Sequence, residues 1–310
     1  MVGRVSSFGQ QQLLIQGVQQ NQRNVFTAQQ QITTGKRTDE YRGLAGETGT
    51  VLGARSTLSR VETYQQTIDT VGGKLDANDV QLGAAIESVE GLLDQIRLTI
   101  ANNQAAGFTE QLETTFSFVA NGLNTNIDGT FLFSGAETGT QPVNVTNIQD
   151  FITLKDGGGT TADAFDNAPI AFQARIADGV DLEFGVLASE IGTDIFEELE
   201  ALYRADQATP FEGELTDAQR TFLSAQIASI EAAIDGVRQH QVDNGLAQER
   251  IKVLDEQHQD TSIFLETFIA DIEDVDIAEA VTRLNNDQVA LQASYQSIGS
   301  LSQLSLLNFL

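Results

Sequence analysis

The chain has 310 residues, 41% of them hydrophobic, enough for a sizeable buried core and against disorder throughout. Its 17 Lys and Arg face 44 Asp and Glu, a formal charge of -27 that repels a phosphate backbone and excludes nucleic acid as the main partner. The absence of cysteine excludes disulfides, thiol nucleophiles, Cys-based metal sites and iron–sulfur clusters.

The first 18 residues lack an unbroken apolar core and a small-residue cleavage site, so they do not read as a secretory signal peptide. No run of apolar residues reaches membrane-spanning length. The first 60 residues carry seven bases (Arg4, Arg23, Lys36, Arg37, Arg42, Arg55, Arg60) against three acids (Asp39, Glu40, Glu47), a net of +4 that leaves -31 for the remainder. Alternating spacings of three and four pick out Phe8, Gln11, Ile15, Val18, Gln22, Val25, Gln29 and Ile32 as a helix seam diluted by glutamine. Such a seam buries too little apolar surface to hold an isolated helix, so this segment is expected to order against partners.

From Val51 to Ile100 the same spacing gives fifteen positions, twelve of them apolar, in seven heptads of unbroken register. That pattern predicts a long bundle or coiled-coil helix, weakest near Gly72, Gly73 and Asp79. A second helix carries Leu112, Phe116, Val119, Leu123 and Ile127, ends at Asp128-Gly129, and leads into a short strand at Thr130-Phe131-Leu132-Phe133. All three prolines, Pro142, Pro169 and Pro210, lie between residues 140 and 210, which separates two helical flanks from a different middle. In that middle, Ile148 to Leu154, Ile170 to Ile176 and Val180 to Val186 read as strands. Gly157-Gly158-Gly159 lacks the following Lys-Ser or Lys-Thr of a phosphate cradle and reads as a turn.

The returning helix is capped by Thr216 and carries Leu223, Ile227, Ile230, Ile234 and Val237. Its stripe resumes in a shifted register at Ala247, Ile251, Leu254, His258, Thr261, Leu265, Phe268 and Ile272, which predicts a joint around Asn244-Gly245. The C-terminal stripe is Ile277, Val281, Leu284, Gln288, Leu291, Tyr295 and Ile298, followed by Leu301, Leu304, Leu306, Leu307, Phe309 and Leu310. Five acids against the single base Arg283 oppose the positive N-terminus and favour antiparallel pairing of the two ends. The plainer reading is that both ends pack on the main bundle; the glutamine-rich seam and the apolar tip favour burial between copies.

The fold class read from these patterns is mainly α: a long helical bundle or coiled coil of N- and C-terminal segments with a small β-rich insertion. The expected domains are a paired-helix assembly domain (1–40 with 273–310), a long-helix bundle (41–136 with 191–272) and the insertion (137–190). The assembly interface is expected at Phe8, Ile15, Val18, Val25, Ile32, Ile277, Val281, Leu284, Leu291, Tyr295, Ile298, Leu304 and Leu307. No catalytic, metal or cofactor site is expected. His240 and His258 stand in no catalytic or ligand motif, and His258 reads as a tolerated or hydrogen-bonded seam residue. The acids Asp271, Glu273, Asp274, Asp276 and Glu279 lack the glycine and spacing of a calcium loop and read as a solvated helix face.

Four local motifs resemble the bacterial flagellin family, in its hook-associated branch. Gln31-Ile32-Thr33-Thr34-Gly35-Lys36-Arg37 is similar to the signature ending the family's first helix, and Gly129-Thr130-Phe131-Leu132-Phe133-Ser134-Gly135 to its hairpin entering the outer domain. Val237-Arg238 with Asn244-Gly245 and Glu249-Arg250 resembles the returning helix; Ala290 to Tyr295 and Leu304-Ser305-Leu306-Leu307 resemble the C-terminal segment. The resemblance implies a structural, non-enzymatic flagellar component without cofactor. It also implies type III export without a cleaved signal peptide, an export chaperone at the C-terminal helix, and an extracellular place in the flagellum. The implied partners are copies of itself, another hook-associated protein and flagellin subunits. Filament flagellin is one alternative, and a secreted helical binding module is another.

Overall fold

A computed structural model describes the backbone of residues 2–307 and the side chains of residue 9 and residues 12–300. Phe8, Leu304 and Leu307 of the expected interface, and the apolar tip from Leu301 to Leu310, lie outside the described side chains. In chain order the elements are α1 (Val2–Thr34), α2 (Thr48–Asn102), β1 (Gln104–Ala105), α3 (Phe108–Leu123), β2 (Asn126–Ile127), β3 (Thr130–Phe131), α4 (Ile148–Asp156), β4 (Phe172–Ala177), β5 (Val180–Phe184), α5 (Ala188–Ala208), β6 (Gly213–Glu214), α6 (Asp217–Glu273) and α7 (Ile277–Leu307). The chain is mainly α-helical, with three two-stranded antiparallel pairs among the described residues, β1–β6, β2–β3 and β4–β5.

The residues group into two compact units, Met1–Arg60 with Thr261–Leu310, and Val61–Asp260. Residues 41–60 and 261–272, expected in the long-helix bundle, cluster with the terminal segments. In the first unit α1 and α7 pack against each other. They run antiparallel: Asn21 Nδ2 donates to Ser294 Oγ at 3.1 Å, Gln22 Nε2 to Tyr295 OH at 2.7 Å and Arg283 Nη2 to Gln31 Oε1 at 3.2 Å. A separate cluster joins Leu44, Val51 and Ala54 to Leu265 and Ile269, with Leu58, Phe268 and Ile272 partly buried around it.

The second unit holds the larger core. None of the fifteen heptad positions from Val51 to Ile100 in α2 is exposed, and the helix runs without interruption past Gly72 and Gly73. Thr216 caps α6: its Oγ1 accepts from Gln219 N at 3.2 Å while Gln219 Oε1 accepts from Thr216 N at 2.9 Å, a reciprocal box that satisfies two otherwise orphaned donors. Leu112, Phe116, Val119 and Leu123 of α3 are buried, whereas Ile127 lies exposed in β2. Phe116, Phe151, Phe165 and Phe196 gather at 4.4 to 5.7 Å between paired ring centres, binding α3, α4 and α5 together.

Two expectations are corrected. Ile148 to Leu154 is not a strand but most of α4: Asn147 Oδ1 accepts from Asp150 N at 2.9 Å, so an N-cap overrides the β-branched composition. No joint breaks α6 at Asn244-Gly245; the helix continues from Asp217 to Glu273. Leu223, Ile230, Val237, Asn244 and Ile251 are all buried at seven-residue spacing, so the phase never slips and a polar residue occupies the position that looked vacant. Asn244 Nδ2 donates to Leu75 O at 2.8 Å, and its Oδ1 is buried without a partner.

Candidate assembly interface

At the end of α1, Gly35 adopts φ +72° and its N–H donates to Gln31 O at 2.9 Å, a left-handed stop that glycine reaches without strain. The chain then meets the end of α6. Val275 N donates to Gly35 O at 2.9 Å, Arg37 N to Glu273 O at 2.6 Å, and Arg37 Nη1 to Ile272 O at 3.0 Å. The two bonds from Arg37 satisfy carbonyls of the last turn of α6, which have no partner within the helix, and the bond from Val275 satisfies Gly35 O after α1.

The Glu273 carboxylate is buried beside this crossing. Arg55 Nη2 lies 2.8 Å from its Oε1 and 2.7 Å from its Oε2, and Lys36 Nζ approaches Oε2 at 3.3 Å while pairing with Asp274 Oδ1 at 2.8 Å. Burial pushes the Glu273 carboxyl upward, but the hydrogen bonds and charges of Arg55 and Lys36 outweigh it and hold the group below the ordinary carboxylate value. The Lys36 ammonium is held above its ordinary value, chiefly by its hydrogen bond to Asp274 and against an opposing effect of burial. A cavity of about 270 Å³ opens here, lined in part by Thr38, Tyr41, Leu44, Arg55 and Glu273.

Along the α1–α7 pair, a row of protected positions runs through Leu14, Val18, Asn21, Val25, Ala28 and Ile32 on one helix, with Asn24 and Gln31 half-buried beside it, and through Ala280, Leu284, Asp287, Leu291, Ser294 and Ile298 on the other. Both rows keep an exact alternation of three and four. The expected seams mixed this row with its neighbour. Of the interface residues read from sequence, Val18 is buried and Val25, Ile32, Leu284, Leu291 and Ile298 are half-buried within the pair. Ile15, Ile277 and Val281 are exposed, and Tyr295 is half exposed although its hydroxyl bonds to Gln22 across the pair. Gln22 and Gln29 are likewise exposed, so glutamine does not dilute the seam between these two helices.

The outward faces carry further large apolar groups that periodicity passed over: Leu13, 69% exposed, Phe26, 67%, and Val289, 66%. The Arg55–Glu273–Lys36 cluster was also missed; of the acidic run, Asp271, Asp274, Asp276 and Glu279 are exposed as expected and Glu273 is the exception. Glu273 is buried and ion-paired, and Asp276 Oδ1 caps α7 by accepting from Ala278 N at 2.8 Å and Glu279 N at 3.1 Å. The available signal was Lys36-Arg37 directly after a helix-stopping glycine, two cations at a point where the chain must reverse.

His258 sits in the second unit, with Nε2 2.7 Å from Ile176 O and its ring stacked at 5.6 Å on Tyr64, a hydrogen-bonded packing position. Gly157-Gly158-Gly159 forms the turn that ends α4, with Gly158 at φ +90°. Among the described residues no three His, Asp or Glu gather closely enough to hold a metal ion, and no helix is long and apolar enough to cross a membrane.

Comparison with known proteins places this geometry. Residues 227–310 match the bacterial flagellin C-terminal helical region. No curated protein matches the chain by sequence. Among solved structures, a protein described as a flagellar hook-associated protein from Vibrio parahaemolyticus shares the fold with a TM-score of 0.59 and 19% identity, covering 73% of this chain and 97% of that one. FlgL of Bacillus cereus does so with a TM-score of 0.54 and 12% identity, covering 70% and 98%. Residues 227–310 are thus similar to a flagellin C-terminal helical region, and the fold of the chain is one it shares with these two proteins.

Proposed function

We propose that the chain is a structural component of the bacterial flagellum, a hook–filament junction protein that polymerises through its terminal helices. The observation that carries this reading is the antiparallel α1–α7 pair, which satisfies its own seam yet leaves Leu13, Ile15, Phe26, Val281 and Val289 exposed, on a chain whose residues 227–310 match the flagellin C-terminal region. Covering such groups releases roughly 25 cal/mol per Å² of apolar area, which drives association without any chemistry. Residues 1–40 with 273–310 act as the assembly domain, and the thirteen interface residues from Phe8 to Leu307 divide between closing the pair and meeting other copies. Two solved flagellar proteins of the same fold, one described as hook-associated, favour the junction over the filament. The partners are copies of the chain, another hook-associated protein and flagellin subunits, with an export chaperone at the C-terminal helix before release. The protein acts outside the cell, exported without a cleaved signal peptide, and catalyses no reaction.

Substitutions on the two faces of α7 test the reading. Val289→Asp places a charge on the outward face and is expected to abolish self-association and incorporation into flagella while α6 keeps its amide protection. Leu291→Asp is expected to open the α1–α7 pair itself. A Val289→Asp chain that assembles with ordinary yield would remove the proposal.

A further inference from the structure

Against a general excess of acids, one cation of the second unit stands apart. Arg97, Lys155, Arg175, Arg204, Arg220 and Arg238 each lie within ion-pair distance of a carboxylate. Lys74 has no such partner among the described residues, although it is half-buried; Arg250 and Lys252, also without one, are exposed. A cation held partly out of water without a counter-charge is costly to fold, and burial lowers the Lys74 ammonium below its ordinary value.

Lys74 lies in a groove of about 380 Å³ between α2 and the β4–β5 hairpin. Thr63, Thr67, Thr70 and Lys74 form one edge at helical spacing, and Phe172 and Phe184, stacked at 5.6 Å, form the other. The Lys74 ammonium stands 4.6 Å from the centre of the Phe172 ring, which positions it without neutralising it. Thr67 and Thr70 donate their hydroxyl protons to Thr63 O and Gln66 O, each at 3.0 Å, so beside the amides of Gln66 and Gln173 the ammonium is the charged donor that the lining offers an incoming group.

We propose that this groove is a contact between copies of the chain, in which a carboxylate of a neighbouring copy pairs with Lys74. Charge complementarity selects that occupant: beyond its first 60 residues each copy brings 41 acids (44 less 3) against 10 bases (17 less 7), so the faces that part of a neighbour presents are rich in carboxylates and short of cations. The contact rests on assembly of the chain into a polymer, and it lies on α2 and a hairpin rather than on the terminal helices that drive assembly. Such a pair fixes the orientation of neighbours more than it adds affinity.

Zero-length carbodiimide coupling tests it, because the reagent joins an amine to a carboxylate only where they touch. Full-length chains with natural-abundance and 15N label are mixed, allowed to associate, coupled, digested and read by mass spectrometry. The expected product is a mixed-isotope peptide joining Lys74 to an Asp or Glu of another copy. Lys74→Arg should lose this product while associating normally, and Lys74→Gln should weaken association roughly fivefold at low salt. Inter-chain products elsewhere with none at Lys74 would overturn the proposal. Absence of every inter-chain product would remove the assembly reading, and this contact with it.

Discussion

Arg55 and Glu273 meet across 218 positions of sequence, the arginine Nη2 lying 2.7 to 2.8 Å from both oxygens of a carboxylate that is itself buried. With Lys36 on the same carboxylate, this pair ties the last turn of α6 to the start of α2 and to the chain leaving α1. A buried carboxylate is tolerated only when its lone pairs are met, and here cations meet both oxygens.

Glu273→Gln should therefore weaken the first unit by about 2 kcal/mol, because Arg55 and Lys36 lose a charged acceptor and gain a neutral amide. Hydrogen exchange reads this as faster exchange in residues 261–300, with 75–100 unchanged. Exchange at wild-type rates would mean the cluster is ornamental to stability.

Acid should act through the same group. The folded Glu273 carboxyl lies below its ordinary 4.5, so its contribution is complete above that value and is lost as pH falls through the folded value. Lys36 has the opposite sign: raised above 10.5, it contributes fully below that value and loses its contribution as pH rises through the folded value. Protection of the α1–α7 pair should decline in acid below about pH 4.5, and less steeply in Glu273→Gln; identical acid profiles would contradict the assignment.

The two glycines that bound the Gly129–Gly135 motif should respond differently to a methyl group. Asp128 and Gly129 both have positive φ, 51° and 81°, in a two-residue turn between β2 and β3, and a Cβ on Gly129 meets nothing within 4 Å. Gly129→Ala should cost about 1 kcal/mol, from backbone conformation alone. Gly135, at φ +64°, would put its Cβ 2.4 Å from Ile170 O, so Gly135→Ala should cost about 3 kcal/mol or more. Equal shifts in the thermal midpoint of the two variants would refute the packing argument.

Where burial follows local periodicity, the sequence was legible. None of the α2 heptad positions from Val51 to Ile100 is exposed, since a helix that keeps one phase must bury one face, but a second buried row, Val71, Asn78, Ala85, Leu92 and Thr99, lay outside that pattern. Legibility failed where a polar residue does an apolar residue's work. Asn244 in α6 and Asn21 in α1 hold core positions through hydrogen bonds to Leu75 O and Ser294, so a pattern of apolar residues alone saw a slipped register in one helix and the wrong face in the other. At α4 a single cap decided against β-branched composition. The Glu273 cluster was invisible for a different reason: its partners are 218 and 237 residues away, and nothing local marks them as neighbours.

Asn244 supplies the last prediction. Its amide nitrogen is satisfied by Leu75 O, but its oxygen is buried without a partner, as is Asn78 Oδ1. A lone asparagine in a helical seam lowers stability while fixing which residues face each other, because only one alignment satisfies its donor. Asn244→Leu removes the orphaned oxygen and adds apolar volume at a position flanked at seven-residue spacing by Val237 and Ile251. The second unit should gain about 1 kcal/mol, a rise of a few degrees in its thermal midpoint. The same variant should lose precision in the pairing of α2 with α6, read as weakened nuclear Overhauser effects between Gly72 and Ile251. A fall in the midpoint would show that the bond to Leu75 outweighs the burial of an unpartnered oxygen.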